Sequence, residues 1–478
     1  MNTSVQIQAT SNTFAAAVQS QEVTTTNGMP AFKTTMNACV DLFFKIGAMR
    51  GKDPIPAFTA AYVENPDVAL RIMQWVRDIR GGSGERELFR QILAHLEVTD
   101  SKSAQKLIMQ IPEIGRWDDM LKLKNPVLKN FAFGLIKVAL ENGNGLCAKW
   151  MPRKGPVANE LRAFLEFSPK RYRKTLVTLT NVVETPMCAK EWDTIDFSHV
   201  PSVAAGRYKK AFARNASFAY AKYAEALVAG ETKVNAGAVY PYDVLKGAMS
   251  RYGRADLGTS ERAVLLAQWA ALENYVGDAK ILPMVDVSGS MSTPAGRNAT
   301  VSCMDVAVSL GLYLAEKNTG EYKDTFLTFT DVPELVHLKG DVLQKMDQMS
   351  SHVGYSTNLE AAFKKVLSVA VQGKVAPEHM PSYVLILSDM QFDQCMHSDV
   401  NAFKMINMQY EAAGYAVPKI VFWNLNARDN APTRFNQAGV ALISGFSPSI
   451  MKTVLKAETF DPINIMLDTV MIDRYNLG

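Results

Sequence analysis

An apolar run that ends in alternating oxygen-bearing side chains, Ile281-Leu-Pro-Met-Val-Asp286-Val-Ser288-Gly-Ser290-Met291, most narrows what this chain can fold into. Residues 281–285 read as a buried strand, and a helical segment opens around Asn298. Strand, polar loop and helix make the first βα turn of an open α/β sheet, and ligands bind such sheets beyond the carboxyl ends of the strands. A carboxylate and two hydroxyls converging there suit a hard divalent cation, Mg2+ or Mn2+, which takes oxygen ligands and keeps some of its waters. Two later segments complete the set. Gly354-Tyr-Ser-Thr357-Asn-Leu-Glu opens another helix with Thr357 near its start, and Ser382-Tyr-Val-Leu-Ile-Leu-Ser-Asp389 is a second buried strand ending in an acid. Alone, Asp-x-Ser-x-Ser also describes an ordinary Asx turn. Thr357 and Asp389, each in the expected helix or strand context, favour the metal.

Asp286-x-Ser288-x-Ser290 with Thr357 and Asp389 resembles the metal-ion-dependent adhesion site of von Willebrand factor A domains. The resemblance covers residues 279–478 and implies a doubly wound, Rossmann-like sheet. It also implies that Ser288, Ser290 and Thr357 touch the metal directly, while Asp286 and Asp389 act mostly through water.

From about Ala279 the pattern alternates between candidate strands (281–286, 324–330, 334–338, 382–388, 418–424, 439–443) and candidate helices (298–317, 341–349, 358–372, 399–413, 447–457). A last helix, 461–473, is expected to pack back on another domain. Such alternation implies a mostly parallel sheet with helices on both faces. The strands carrying Asp286 and Asp389 would be neighbours where strand order reverses.

Residues 29–278 look helical instead, with apolar residues at helical spacing, as in Leu70-x2-Met73-x2-Val76 and Leu88-x3-Ile92-Leu93-x2-Leu96. Breaks fall at Pro54, Gly81-Gly82-Ser83-Gly84, Pro112, Pro126, Pro152, Pro169 and Pro201. Short helices joined by short turns describe stacked helix pairs, a HEAT-like α-solenoid, though no clean repeat recurs. Residues 1–28, rich in Ser, Thr, Gln and Asn, read as a flexible arm. They contain no Lys or Arg, so they resemble neither a signal nor a transit peptide.

The net charge of +4 is too small to argue for nucleic acid by itself, so clustering decides. Residues 149–174 set Lys149, Arg153, Lys154, Arg162, Lys170, Arg171, Arg173 and Lys174 against two acids, with Trp150 and Tyr172 interleaved. Residues 206–223 add Arg207, Lys209, Lys210, Arg214 and Lys222, five aromatics and no acid. Cations neutralise phosphates and aromatic faces stack on unpaired bases, a mix that suits single-stranded RNA. The plainer alternative is a solvated helix face with core aromatics, and the density of Lys170-Arg-Tyr-Arg-Lys174 argues against it. Asp78-Ile-Arg80-Gly-Gly-Ser-Gly-Glu85-Arg86-Glu87 lacks the ending of a phosphate-binding P-loop and reads as a helix-to-helix corner. The five scattered cysteines argue against a disulfide framework or a zinc site and for a reducing, cytoplasmic setting. No apolar run approaches the roughly 18 residues of a membrane span.

Ile79-Arg-Gly-Gly-Ser-Gly-Glu-Arg86 and Gly115-Arg-Trp-Asp-Asp119, followed by the A-domain pattern, resemble the Ro autoantigen (TROVE) family. Trp150-Met-Pro-Arg-Lys-Gly-Pro156, Tyr172-Arg-Lys174 and Val200-Pro-Ser202 look closer to an uncharacterised branch of phages, bacteria and plants. The resemblance spans roughly residues 30–475. It implies helical repeats in a ring closed by the A domain, a ribonucleoprotein that binds small non-coding RNA and the single-stranded ends of misfolded RNA. Enzyme readings fail at particular residues: Ser288 stands where a dehalogenase-type phosphotransferase needs its second Asp, and Asp286 where a hydrolase elbow needs Gly. His352 precedes the Thr357 loop, but no histidine shows metal-ligand spacing. The expectation is therefore a binding protein and not an enzyme: an RNA-binding scaffold with a divalent-metal site. The alternative is a metal-dependent assembly factor whose metal takes a Glu or Asp from a protein partner, a phage structural or host-interaction protein associated with the virion if phage-encoded.

Overall fold

A computed structural model describes residues 22–235, 239–250, 253–296, 301–330, 332–352, 357–393 and 402–477. Residues 1–21 of the expected arm, the helix starts at 298–300 and 399–401, and Gly354-Tyr-Ser356 lie outside them.

Two short antiparallel pairs, β1 (Glu22–Thr24) with β2 (Pro30–Phe32) and β3 (Met249–Ser250) with β4 (Gly253–Arg254), accompany one large sheet. That sheet comprises β5 (Ile281–Val285), β6 (Thr325–Thr328), β7 (Leu335–His337), β8 (Tyr383–Ser388), β9 (Lys419–Asn424) and β10 (Val440–Ser444), in the order β10-β9-β8-β5-β6-β7. All neighbours are parallel except the edge strand β7. Nearly every residue of β5, β8, β9 and β10 is buried. Side chains alternate between faces along a strand, so unbroken burial means that both faces are covered. All six expected strands form, each within two residues of its expected ends. From β5 the chain moves to β6 on one side and returns at β8 on the other. The carboxyl ends of β5 and β8 thus flank the point where strand order reverses.

The helix Cys303–Lys317 packs on β5, β6 and β8. Its start is fixed by a reciprocal box: Ser302 accepts from the Asp305 N–H, and Asp305 accepts from the Ser302 N–H. Gly311 lets it lie close, since a Cβ there would stand 2.3 Å from a Val285 methyl.

In the helical half, successive helices pack on one another in chain order, from Ala38–Ile46 through Gly145–Trp150. One hydrophobic core runs from Met29 to Leu477 through both halves, and a second, smaller core gathers Ile195, Phe197, Phe212, Tyr220 and Val264. The join between the halves is polar and specific. The last carbonyls of a helix have no partner within it. Those of Phe43 and Phe44 accept from Ser444 Oγ (2.7 Å) and Asn424 Nδ2 (3.1 Å), at the ends of β10 and β9. Gly47 and Gly445 touch there backbone to backbone, and a Cβ on Gly47 would lie 2.8 Å from the Gly445 Cα. The glycine corner after Arg77 does turn one helix into the next; Glu85 pairs with Arg50 within the helical half, and Asp78 docks the corner on the α/β half by accepting from Arg474 and Tyr475.

Three expectations need correction. Residues 22–28 are not a loose arm; they pair with β2 and hydrogen-bond residues 391–392. Pro112 does not break a helix but sits inside the last turn of Ser101–Ile114, where its missing N–H forgoes one helical hydrogen bond and the helix ends two residues later. The expected helix 447–457 shrinks to Met451–Val454 after a tight turn. The last helix, Pro462–Val470, packs on Pro66–Arg77 as expected.

Burial alone would raise the Asp78 carboxyl, but hydrogen bonds from Arg474, the Arg80 N–H and Tyr475 outweigh it and hold it below the usual range. A depressed carboxylate stabilises the fold above its unfolded value near pH 4 and loses that contribution as pH falls through the lower, folded value. Residues 472–477 are thus expected to release first on acidification. Hydrogen exchange of this segment between pH 5 and 2 should show the loss, and Arg474→Ala should remove its pH dependence. Exchange that follows global unfolding in both proteins would contradict the prediction.

Candidate functional site

Asp286 ends β5 and Asp389 ends β8, side by side, and neither is exposed. Asp286 accepts from the Ser288 N–H (3.0 Å) and from Ser388 Oγ (2.6 Å), which fixes the turn after β5. Burial, aided by the like charge of Asp389 and opposed by those hydrogen bonds, pushes its carboxyl up to about 6. The hydroxyls of Ser288 and Ser290 lie 3.1 Å apart, with Ser290 exposed. Two oxygens at right angles on Mg2+, bonded at about 2.1 Å, would be roughly 3.0 Å apart, so the pair matches adjacent positions on an octahedral ion.

Thr357, at the start of Leu359–Gly373, is reached less directly. Its hydroxyl donates to the Gln391 carbonyl (2.6 Å), and the Gln391 N–H donates to Asp389 (3.3 Å). With its proton committed, the Thr357 oxygen keeps a lone pair for a cation. Asp393 accepts from the Thr357 N–H at 2.6 Å. Met390, just after Asp389, holds a left-handed φ of 65°, backbone strain of the kind that gathers at binding sites.

A ring of residues from distant loops completes the setting, and nothing in the local pattern around Asp286 announced them. Arg428 donates to Asp389 at 3.1 Å. The loop carrying Arg428 is shaped by Asn424, whose side-chain oxygen accepts from the N–H groups of residues 426 and 427. Lys52, from the helical half, donates to the carbonyls of Asn426 and Ala427. Asn27, just after β1, donates to the Gln391 carbonyl (2.9 Å) and to Thr357 Oγ1 (3.4 Å). Ser388 was legible in hindsight as the residue before a strand-ending acid. His352 caps the helix Val342–Ser351 and rests edge-on against Phe326. The donor set is hard oxygen throughout and fits a divalent cation. Among the described residues no cluster of His, Cys, Asp and Glu alone could hold one.

The basic segments divide by burial. Arg153, Lys154, Lys170, Arg171, Arg173, Lys174, Arg207, Lys210 and Arg214 are exposed. Lys149 and Trp150 are half-buried, and the Arg116 guanidinium lies 3.7 Å over the Trp150 ring. Lys209 is also half-buried and donates to the Gly247 carbonyl. Tyr172 is 4% exposed and donates to the Pro152 carbonyl, so it is a core residue and not a stacking platform. Phe212 and Tyr220 are core as well, whereas Phe218 is 84% exposed. Lys149 and Ala204 line a common cleft of about 320 Å3, together with the acids Glu184 and Asp196.

The helix Pro169–Leu179 carries Lys170, Arg171, Arg173 and Lys174 near its amino end and no acid in its first turn. A helix amino terminus is the positive end of its dipole and favours anions. Lys170 and Arg171, in the first turn, oppose the dipole, and Arg173 and Lys174 crowd beside them.

Residues 280–473 match the family model of a domain of unknown function, DUF7788, and residues 25–104 and 150–280 match a second, DUF2828. A curated relative, "Uncharacterized protein L728" of Acanthamoeba polyphaga mimivirus, is 31% identical over 507 residues, spanning 93% of this chain and 86% of that protein.

Proposed function

Since the chain belongs to one family with the mimivirus protein L728, its two halves form a single inherited unit, and we propose that this unit is an RNA-binding scaffold with a divalent-metal site. The helical half, read as a TROVE-like solenoid, would hold single-stranded stretches of non-coding RNA. The α/β half, read as a von Willebrand A-like domain, would hold the cation. The observation that carries the RNA reading is the crowding of Lys170, Arg171, Arg173 and Lys174 on a helix amino terminus. Their mutual repulsion and the dipole both disfavour that arrangement, and a polyanion relieves both.

Ser288, Ser290 and Thr357 would hold Mg2+ or Mn2+, with Asp286 and Asp389 acting through water. Bound there, the ion supplies a positive charge with a position open to an oxygen ligand. The second reading, a docking site for an acidic residue of a protein partner, is favoured by one observation: Ser290 is exposed while both carboxylates are buried, so the site would open to solvent on one side.

The test is a salt titration of binding to fluorescent single-stranded RNA, double-stranded RNA and single-stranded DNA, with and without Mg2+. The scaffold reading expects preference for single-stranded RNA and a steep fall of affinity with salt. Weak binding without preference would leave the basic segments as solvated surface and the docking reading in possession of the metal.

A further inference from the structure

A cleft of about 250 Å3 opens between the helices Ser202–Asn215, Ser217–Val228, Pro241–Leu245 and Thr259–Ala270. It lies on the seam between the two hydrophobic cores: Tyr220 and Val264 belong to the smaller core, and Val244 and Leu265 to the larger. Ligand sites favour such seams. Two of its lining side chains are anomalous. Tyr220 is 2% exposed and Gln268 is 7% exposed, yet the Tyr220 hydroxyl and Gln268 Nε2 find no hydrogen-bond partner among the described residues. Burying a polar group without a partner is costly, and native structures rarely do so without reason. Lys209, beside them, spends one of its protons on the Gly247 carbonyl and keeps others. The cleft therefore offers unspent hydrogen-bond donors from Tyr220, Gln268 and Lys209 between the apolar walls of Val244 and Leu265, with the carboxylates of Asp243 and Glu261 also on its lining.

Arg207 stands at the mouth, and Lys210 and Arg214 follow on the same helix. Spacings of three and four residues put the three on one face, and all are exposed. A row of cations leading from a donor-lined slot matches a strand of phosphates with one base turned inward.

We propose that this cleft takes one splayed-out nucleobase of a single-stranded RNA, its carbonyl edge on Gln268 and Tyr220 and its flanking phosphates on Arg207, Lys210 and Arg214. The proposal rests on the RNA reading above and names the site of base contact within it. Bases presented in this way are read on their edges by hydrogen bonds, with apolar groups against their faces.

The experiment is calorimetric binding of UMP, CMP, AMP and GMP, alongside a fluorescent single-stranded RNA, to the full chain and to Tyr220→Phe and Gln268→Leu. At least one mononucleotide should bind the wild type, and each variant should bind it roughly five- to tenfold more weakly. Both variants remove an unpartnered buried group, so their melting temperatures should be equal to or above the wild type. If Gln268→Leu fails to fold, Tyr220→Phe, which removes a single oxygen, carries the test. Tyr172→Phe serves as the control, because its hydroxyl is already satisfied by the Pro152 carbonyl, and it should leave mononucleotide binding unchanged. No mononucleotide binding to the wild type, or equal binding by both variants, overturns the cleft even if RNA binds elsewhere. Mononucleotide binding lost in the variants, with no salt-dependent RNA binding, upholds base recognition by the cleft and sinks the RNA reading.

Discussion

Charge reversal at Lys170, Arg171, Arg173 and Lys174 together is expected to weaken RNA binding roughly 100-fold or more at physiological salt. Each lost phosphate contact on a single strand should flatten the slope of log K against log salt by about 0.7, so four contacts should flatten it by about 2.8. The same variant should melt higher than the wild type. Carboxylates at 170 and 171, in the first turn of Pro169–Leu179, satisfy the dipole that the two cations there oppose, typically by about 0.3–1 kcal/mol each. One stacking contact, the Arg171 guanidinium 4.0 Å over the Phe167 ring, is surrendered in exchange. A stability gain joined to a binding loss would mark these residues as kept for function at the expense of the fold. Filter-binding titrations and thermal melts of both proteins check it. Unchanged RNA affinity in the variant would move the RNA site off this helix.

The second large effect concerns the cation. Wild-type protein should gain about 2.7 kcal/mol of stability at a Mg2+ concentration 100 times the dissociation constant, and Asp286→Asn and Ser288→Ala should lose that gain. Asn is the better replacement than Ala at 286, because Ala would orphan two buried donors, the Ser288 N–H and the Ser388 hydroxyl, at about 1–3 kcal/mol each. The pH dependence has a definite sign. The folded carboxyl, lifted by burial to about 6, prefers its proton more than the unfolded one does. Its contribution to metal-free stability is full below about pH 4 and falls away as pH rises through 6, a loss of roughly 3 kcal/mol by neutrality. A cation reverses that preference, so Mg2+ should raise the melting temperature more at pH 7.5 than at pH 5. An equal Mg2+ response in wild type and both variants would show that the ion binds elsewhere.

The strands were legible because the fully buried ones are short apolar runs bounded by turns, and Asp286, Ser288 and Ser290 were legible because their chemistry is local to one such strand end. Arg428, Gln391, Asp393, Lys52 and Asn27 were not, since each arrives from another loop and carries no periodic signal of its own. The strand Glu22–Thr24 is too short for alternation to announce it amid Ser, Thr, Gln and Asn. Tyr172 was misplaced for a different reason. Charge density drew attention to Lys170–Lys174, while the spacing of Tyr172 and Leu176, one helical turn apart, already put the tyrosine on the buried side. Ser302-x-x-Asp305 is the local signal that starts Cys303–Lys317, and Asn298 carries no such pair.

The grip of Ser444 and Asn424 on the carbonyls of Phe43 and Phe44 also sets a timetable. The partners are 401 and 380 residues apart. At roughly 5–20 residues per second on the ribosome, the helix Ala38–Ile46 waits on the order of 20–80 s before the groups that finish its end have been made. During that wait the apolar surface of Val40, Phe43 and Phe44 has no sheet to cover it. Until then that apolar surface is of the kind that makes a nascent chain prone to aggregate. A circular permutant opened in an exposed turn of the helical half, with the original termini joined, would make Phe43 soon after Ser444 and should refold faster from denaturant.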